Sequence, residues 1–440
     1  MNSKDRLALA EWTVNEAKRN GASEASVDIA KNRNIEIEYR DGNLDQLNEA
    51  TSNGLSLTVY AEGKYSSNST NDLRKETLGR FVKESVAMTR YLAEDPFRGL
   101  PDPKFYQDRS TAKLQLYDSA YESLASDKRI AVAKEIEALT HQKSSEVLTC
   151  TAYFSDTLSQ TVKVNSNGFQ GETRETSFGS GVSLTVKDGD RGRPSDWAWA
   201  SAKFLEDLHS PAEYADTAFK RTMQKIGQKK LASGVYDMIV DNRSASRLLG
   251  GLYGPMQGST LQQKQSFLEG KIGQKIASEK LTMIDDPFVV RGLSSGHFDG
   301  EGMSTKRRVM IEKGVLKNYY IDTYYGKKLD MTPTTGGSSN LTFEKGDKSL
   351  EELIAGVTKG ILVTSFVGGN NNSTTGDFSY GIIGMLIENG KLTQPVNEMN
   401  VSGNSGELWG KLVEMGNDPY VYSGWRRPSM LFEGVHFAGI

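Results

Sequence analysis

The sequence predicts an α+β protein, with an N-terminal helix-and-antiparallel-sheet domain followed by a β-rich, glycine-dense C-terminal domain. Three observations carry this. Over the first half, apolar residues switch between helical spacing and strict alternation. Beyond Leu231 glycines become dense (Gly250, Gly251, Gly254, Gly258, then Gly292 to Gly302) and strand patterns dominate. A chain of 440 residues is also long for a single core, which favours two or three domains. The expected division is residues 1–215 (sub-boundary at 95–110), a linker at 216–231, and a second domain at 232–440.

Leu7, Ala10, Val14 and Ala17 recur at helical spacing, and Asn20-Gly21 ends that helix. Three alternating segments follow, around Ala25/Val27/Ile29, Ile35/Ile37/Tyr39 and Leu55/Leu57/Val59. Asp41-Gly42 and Asn53-Gly54 read as the turns between them. Residues 72–93 form a second helix, closed by Asp95-Pro96, and three prolines then mark a crossing to Tyr106. A helix over 119–140 precedes strands at 147–154, 160–164, 171–176, 181–187 and 196–204, and Pro211 opens another helix.

In the second half, Val235–Val240 is a strand, and Asp241 or Asn242 caps a short helix that Gly250-Gly251 stops. Strands flank the Lys313-Gly314 turn, and a helix spans 349–358. The most distinctive stretch is 365–390, SFVGGNNNSTTGDFSYGIIGMLIENG. It reads as two apolar strands around a polar connection from Gly368 to Asp377, with Asn389-Gly390 a type I′ turn signal. Connections of that length are usually functional or disordered, and paired glycines let a backbone approach a ligand closely. An ornate surface hairpin is the competing reading.

Composition narrows the function classes. Net charge is −3, which gives no reason to expect nucleic acid as a partner. The single Cys150 rules out an internal disulfide and any cysteine-cluster metal site; it lies in an apolar strand and reads as an inert thiol. No run has the apolar length of a membrane span, and the charged N-terminus lacks a signal-peptide core, so a cytoplasmic location is expected.

Chemical motifs are sparse. His141, His209, His297 and His436 are widely separated, and no pair has the spacing of a metalloprotease helix. Gly292-Leu293-Ser294-Ser295-Gly296 matches a nucleophile elbow, but GHFDGEGM after it is a poor helix start. Asp285-Asp286 and Asp299/Glu301 are paired carboxylates that read as solvated turn residues. No phosphate-binding loop is present.

Six segments in order carry a resemblance: residues 266–287, 292–329, TPTTGG (332–337), FVGGNNNSTTGDFS (366–379), 386–404 and MGNDP (415–419). Together they resemble the C-terminal domain of the TldD/PmbA family, once described as modulators of DNA gyrase. The resemblance implies two sister types. TldD-type subunits resemble zinc peptidases, with two ligands on an H-E-x-x-x-H helix and a Cys near the C-terminus. TldE-type (PmbA) subunits lack these ligands and pair with TldD-type subunits. In this chain the zinc-helix position reads DNRSASRLLGGLYG (241–254), with Arg243, Ser244 and Arg247 and neither His nor Glu. No Cys follows in 418–434. The resemblance therefore implies a non-catalytic TldE/PmbA-type subunit with no cofactor of its own, zinc being held by a TldD-type partner. It also implies an unstructured peptide as substrate, and Gly368, Gly369, Asn370, Thr375 and Asp377 as residues shaping a peptide cleft by strand addition. The alternatives are a homodimeric peptide-binding module, or a hydrolase using Ser294, Ser295 or another site.

Overall fold

The computed structural model describes every residue from Met1 to Ile440 except Arg191. In the first half, strands β1 (Glu24–Arg40), β2 (Asn43–Ala61), β3 (Lys64–Thr70), β4 (Val147–Asn165), β5 (Gln170–Val186) and β6 (Ser195–Ala202) form one antiparallel sheet, ordered β3-β2-β1-β4-β5-β6. Helices α1 (Ser3–Arg19) and α2 (Lys75–Thr89) pack with Val27, Ile29, Leu57 and Val162. Helices α3 (Ser126–His141) and α4 (Pro211–Met223) belong with the core of Ile35, Ile37, Cys150, Phe154 and Leu184. Odd-numbered β1 residues and even-numbered β4 residues serve both cores, so the two helix pairs lie side by side on the same face of the sheet.

This arrangement explains where the sequence reading breaks strands that are continuous. The segments 147–154 and 160–164 are one strand, as are 171–176 and 181–187. The apparent gap in β4 is polar because it lies between the two apolar patches. There Asp156 is fully buried against Arg129, with Nε to Oδ2 at 2.5 Å. Likewise Asn53-Gly54 is no turn: both pair within β2, opposite Lys31 and Ala30. Asp41-Gly42 does turn, with φ of 45° and 83°.

In the second half, β7 (Gly234–Val240) leads into α5 (Ser246–Tyr253). Then come β8 (Met283–Asp286), β9 (Arg308–Glu312), β10 (Val315–Leu316) and β11 (Asn340–Phe343). The long strands β12 (Lys359–Asn371), β13 (Asp377–Glu388) and β14 (Lys391–Asn404) precede β15 (Leu412–Met415), β16 (Trp425–Arg426) and β17 (Met430–Ala438). One sheet runs β14-β13-β12-β7-β17-β15, and pairing of β14 with β17 closes it on itself. The other runs β10-β9-β8-β11-β16, and one core spans both. This confirms the β-rich second half and the mixed α+β class.

Three local expectations are corrected here. α5 continues through Gly250-Gly251 because Leu248, Leu249 and Leu252 are buried on one side of it, and packing outweighs the glycine penalty. The segment 216–231 is helical as far as Met223. There a Ser210/Glu213 capping box and buried Ala218 and Thr222 hold α4 against the sheet. The Gly368–Asp377 connection shrinks, since β12 runs on to Asn371 through a bulge between Val367 and Asn370.

The halves meet along the outer edge of β6. Its carbonyls at Ser195, Trp197 and Trp199 accept bonds from Lys225 Nζ, Arg243 Nη2 and the Tyr420 hydroxyl, at 2.6, 2.8 and 2.8 Å. An open strand edge is thereby capped by side chains. At the same junction Arg221 of α4 reaches Asp241 at 2.9 Å, the Thr364 carbonyl at 2.9 Å and Asp196 at 3.5 Å. Burial pulls the Arg221 pKa down, but Asp241 and Asp196 outweigh it and the guanidinium is held above its ordinary value. Removing one member of such a buried network leaves charge unpaired. Arg221→Met is expected to lower unfolding free energy by about 3 kcal/mol, read from urea denaturation. An unchanged midpoint would mean that the junction adds no stability.

Candidate functional site

A cleft of about 320 Å³ opens where β6, the start of α5 and the bulged part of β12 converge. Its floor is the Arg221 network. Its walls include Trp197 and Phe366, and Arg243, Ser244, Arg247, Gly368 and Gly369 complete it.

Each wall residue is placed by a local cause. Asp241, at the end of β7, accepts the Ser244 N–H at 2.7 Å and turns the chain into α5. The Ser244 hydroxyl donates to the Thr364 carbonyl at 2.7 Å. The Arg243 guanidinium lies over the Trp197 ring at 4.0 Å, and its Nη1 is buried with no hydrogen-bond partner among the described residues. Burial, then the neighbouring Arg221 cation, pushes the Arg243 pKa down. Gly368 and Gly369 have φ of 60° and 80°, which turns their carbonyls toward α5. Arg247 Nη2 donates to both at 3.0 Å, with its cation 4.7 Å from the Tyr380 ring centre.

Of the residues expected to shape a cleft, the structure brings Gly368 and Gly369 together with Arg243, Ser244 and Arg247. Asn370, Thr375 and Asp377 do not line this cleft. Asn370 pairs with Ser379 in the hairpin. Thr375 and Asp377 bond one another at 2.7 Å, and Asn404 Nδ2 ties both down. These bonds, Asn404 foremost, hold the Asp377 carboxyl below its usual range. Strand addition at the glycines is also disfavoured, because Arg247 already occupies both carbonyls. Asp196, Trp197 and Arg221 were missed in the sequence. The one available signal was alternation in Asp-Trp-Ala-Trp-Ala, which leaves Trp197 half exposed on an edge strand.

The other motifs resolve separately. The loop at 292–296 is not followed by a helix, and the Ser295 hydroxyl donates to the Val289 carbonyl (2.6 Å) while accepting from Asn340 (2.8 Å). It fastens a loop. Cys150 is fully buried, its pKa pushed up to about 12 by burial. The paired carboxylates differ from the solvated-turn reading chiefly at Asp285; Asp299 and Glu301 do lie in a turn, half-buried. Asp285 is buried and pushed up to about 6 by desolvation. Asp299 and Glu301 line a second cavity of about 500 Å³ with Asp322.

Among the described residues, one group could bring three metal-ligating atoms together, Asp41, Glu137 and His141. The Asp41 oxygens already accept from Cys150 N and Thr149, and Glu137 accepts from Gly42 N. The cleft itself offers three guanidinium groups, serine and threonine hydroxyls, and one carboxylate, Asp196, already paired with Lys225 and Arg221. The guanidinium groups repel a dication and a single paired carboxylate is no three-ligand set, so these residues do not fit zinc.

Sequence profiles described as PmbA/TldA metallopeptidase domain 1, central domain and C-terminal domain match residues 25–89, 120–226 and 233–439. A crystal structure from Bacteroides thetaiotaomicron, of a protein named as a candidate modulator of DNA gyrase, is 45% identical. It covers 100% of both chains with a TM-score of 0.97.

The chain belongs to the PmbA/TldD metallopeptidase family.

Within the family, it is 29% identical over 420 residues to the metalloprotease PmbA of Escherichia coli O157:H7, spanning 94% of this chain and 92% of that one. The fold is shared with TldE from Thermococcus kodakarensis, with a TM-score of 0.85 at 20% identity, over 98% and 100% of the two chains. The family's C-terminal profile contains α5, the bulged β12 and every cleft residue outside β6 and α4. No helix among the described residues is long and apolar enough to cross a membrane.

Two predictions follow from the geometry. A Cβ on Gly369 would lie 2.1 Å from the Ser379 carbonyl, whereas Gly368 has open space. Gly368→Ala should therefore lose roughly 1 kcal/mol, from its left-handed backbone alone. Gly369→Ala should lose clearly more, and equal melting temperatures would show that the bulge relaxes freely.

The second concerns pH. Burial pushes Glu301 from an ordinary 4.5 up to about 7, against bonds from Thr323 N (2.9 Å) and Oγ1 (3.0 Å). The folded state then keeps a proton that the unfolded chain releases, so stability falls as pH rises between those values. Glu301→Gln should flatten this part of the stability profile. Parallel wild-type and variant melting curves from pH 4.5 to 7 would exclude it.

Proposed function

We propose that this PmbA/TldD-family protein is a non-catalytic, TldE/PmbA-like subunit of a zinc metallopeptidase complex that degrades or processes unstructured peptides. The observation that supports this is the composition of the cleft. Where a TldD-type chain is expected to carry ligands and a general base, this chain presents Arg243, Ser244 and Arg247. Activating water on zinc requires neutral imidazoles, carboxylates or thiolates around the ion, and guanidinium groups oppose it. The zinc of the complex would belong to a TldD-type partner. The chain's own part is to enclose half of the substrate path and to hold peptide at the cleft.

The test is cleavage of an unfolded peptide by this chain, by a TldD-type chain, and by their mixture, with elemental analysis of each. The expected result is chelator-sensitive cleavage confined to the mixture, with zinc in the partner only. Stoichiometric zinc and cleavage in this chain alone would make it an enzyme in its own right. Equal cleavage by the TldD-type chain with or without it, and no complex on sizing, would leave an independent peptide-binding module, acting as a homodimer if it self-associates.

A further inference from the structure

We infer that the cleft binds a carboxylate of the peptide substrate, held between Arg243 and Arg247. The inference deepens the proposed function and rests on its reading of the cleft as a peptide site.

The charges around the cleft do not balance. Asp196 is engaged by Lys225 at 3.1 Å and by Arg221 at 3.5 Å, and Asp241 by Arg221 at 2.9 Å. Arg243 and Arg247 have no carboxylate within ion-pair distance among the described residues. What they have instead are neutral partners, the carbonyls of Trp197, Gly368 and Gly369 and the faces of Trp197 and Tyr380. These contacts fix the guanidinium planes, and although Asp196 and Asp241 act on Arg243 from a distance, both are directly paired with Arg221 and Lys225, so the cleft keeps an excess of positive charge. Arg243 also keeps a buried N–H with no acceptor. For Arg243 a buried donor without an acceptor is unfavourable until an anion arrives, Arg247 adds a second, exposed cation beside it, and a planar carboxylate matches the donor fork of arginine.

The choice of carboxylate follows from the proposed peptide substrate, whose anionic groups are carboxylates, and the cleft has room for one. About 320 Å³ admits a chain terminus or one acidic side chain. Of the serines lining the cleft, Ser244 has its hydroxyl bound to the Thr364 carbonyl. A peptide supplies the carboxylate from its C-terminus or from Asp or Glu, and the two sources are separable by experiment.

The experiment measures binding of three labelled, unstructured peptides to the isolated full chain, by fluorescence anisotropy at fixed salt. One has a free C-terminus and no acidic residue, the second is its C-terminal amide, and the third is that amide with one internal Glu. Removing the engaged carboxylate is expected to weaken binding on the order of tenfold. Weakening in the amide that the internal Glu fails to restore assigns the terminus, and restoration assigns the side chain. Arg247 is exposed, so Arg247→Gln should fold normally and bring the peptides toward equal affinity. Arg243→Gln should do the same, with circular dichroism checking its fold, and Arg243→Lys should recover only part of the preference.

Equal affinity of all three peptides, absence of binding, or an unchanged preference in Arg247→Gln and Arg243→Gln would overturn the inference. If cleavage by the mixture stands while the preference is absent, the carboxylate alone is withdrawn. If the preference stands while the mixture does not cleave, the subunit reading fails and the binding site remains.

Discussion

Arg221 is the constraint on which the rest of the molecule depends. It rises from α4 in the first half and meets Asp241 at the end of β7 and the Thr364 carbonyl of β12, both in the second half. Its side chain is largely buried, so its charge has to be met by protein groups. Meeting it sets three things together: the position of β6 against the second half, the turn that starts α5, and the depth of the cleft. Lys225 and Tyr420 extend the same seam by capping neighbouring carbonyls of β6. A strand edge that would otherwise be open to pairing is converted into the wall of a site.

The second determinant is the bulge in β12. Two successive residues with positive φ turn a pair of carbonyls out of the ladder, and Arg247 takes both. Glycine is required most strictly at 369, where the backbone of β13 leaves no room for a side chain. The glycines thus act by orienting an arginine, and the polar chemistry that the cleft presents lies in side chains. Family membership places this chain among metallopeptidase-like proteins, while the cleft is cationic where metal chemistry would need neutral or anionic donors.

What the sequence by itself determined was local and periodic. Helical spacing in residues 3–19, alternation in β1, the apolar run of β7, and the turns at Asp41-Gly42, Lys313-Gly314 and Asn389-Gly390 are written within a few residues, and the structure has each of them. The ordered family segments also drew attention to the stretch 241–254 that precedes them, and so to the arginines at 243 and 247. Tertiary structure decided the rest, because the forces concerned act between residues far apart in the chain. The polar middle of β4 reads as a break until Arg129 is seen covering Asp156. Asp285 reads as a solvated turn until it is found buried in a strand. The cleft gathers residues from 196 to 369, and no pattern in the chain announces that Asp196, Arg221 and Asp241 meet. Burial and charge compensation are properties of the packed whole, so only the fold could assign them.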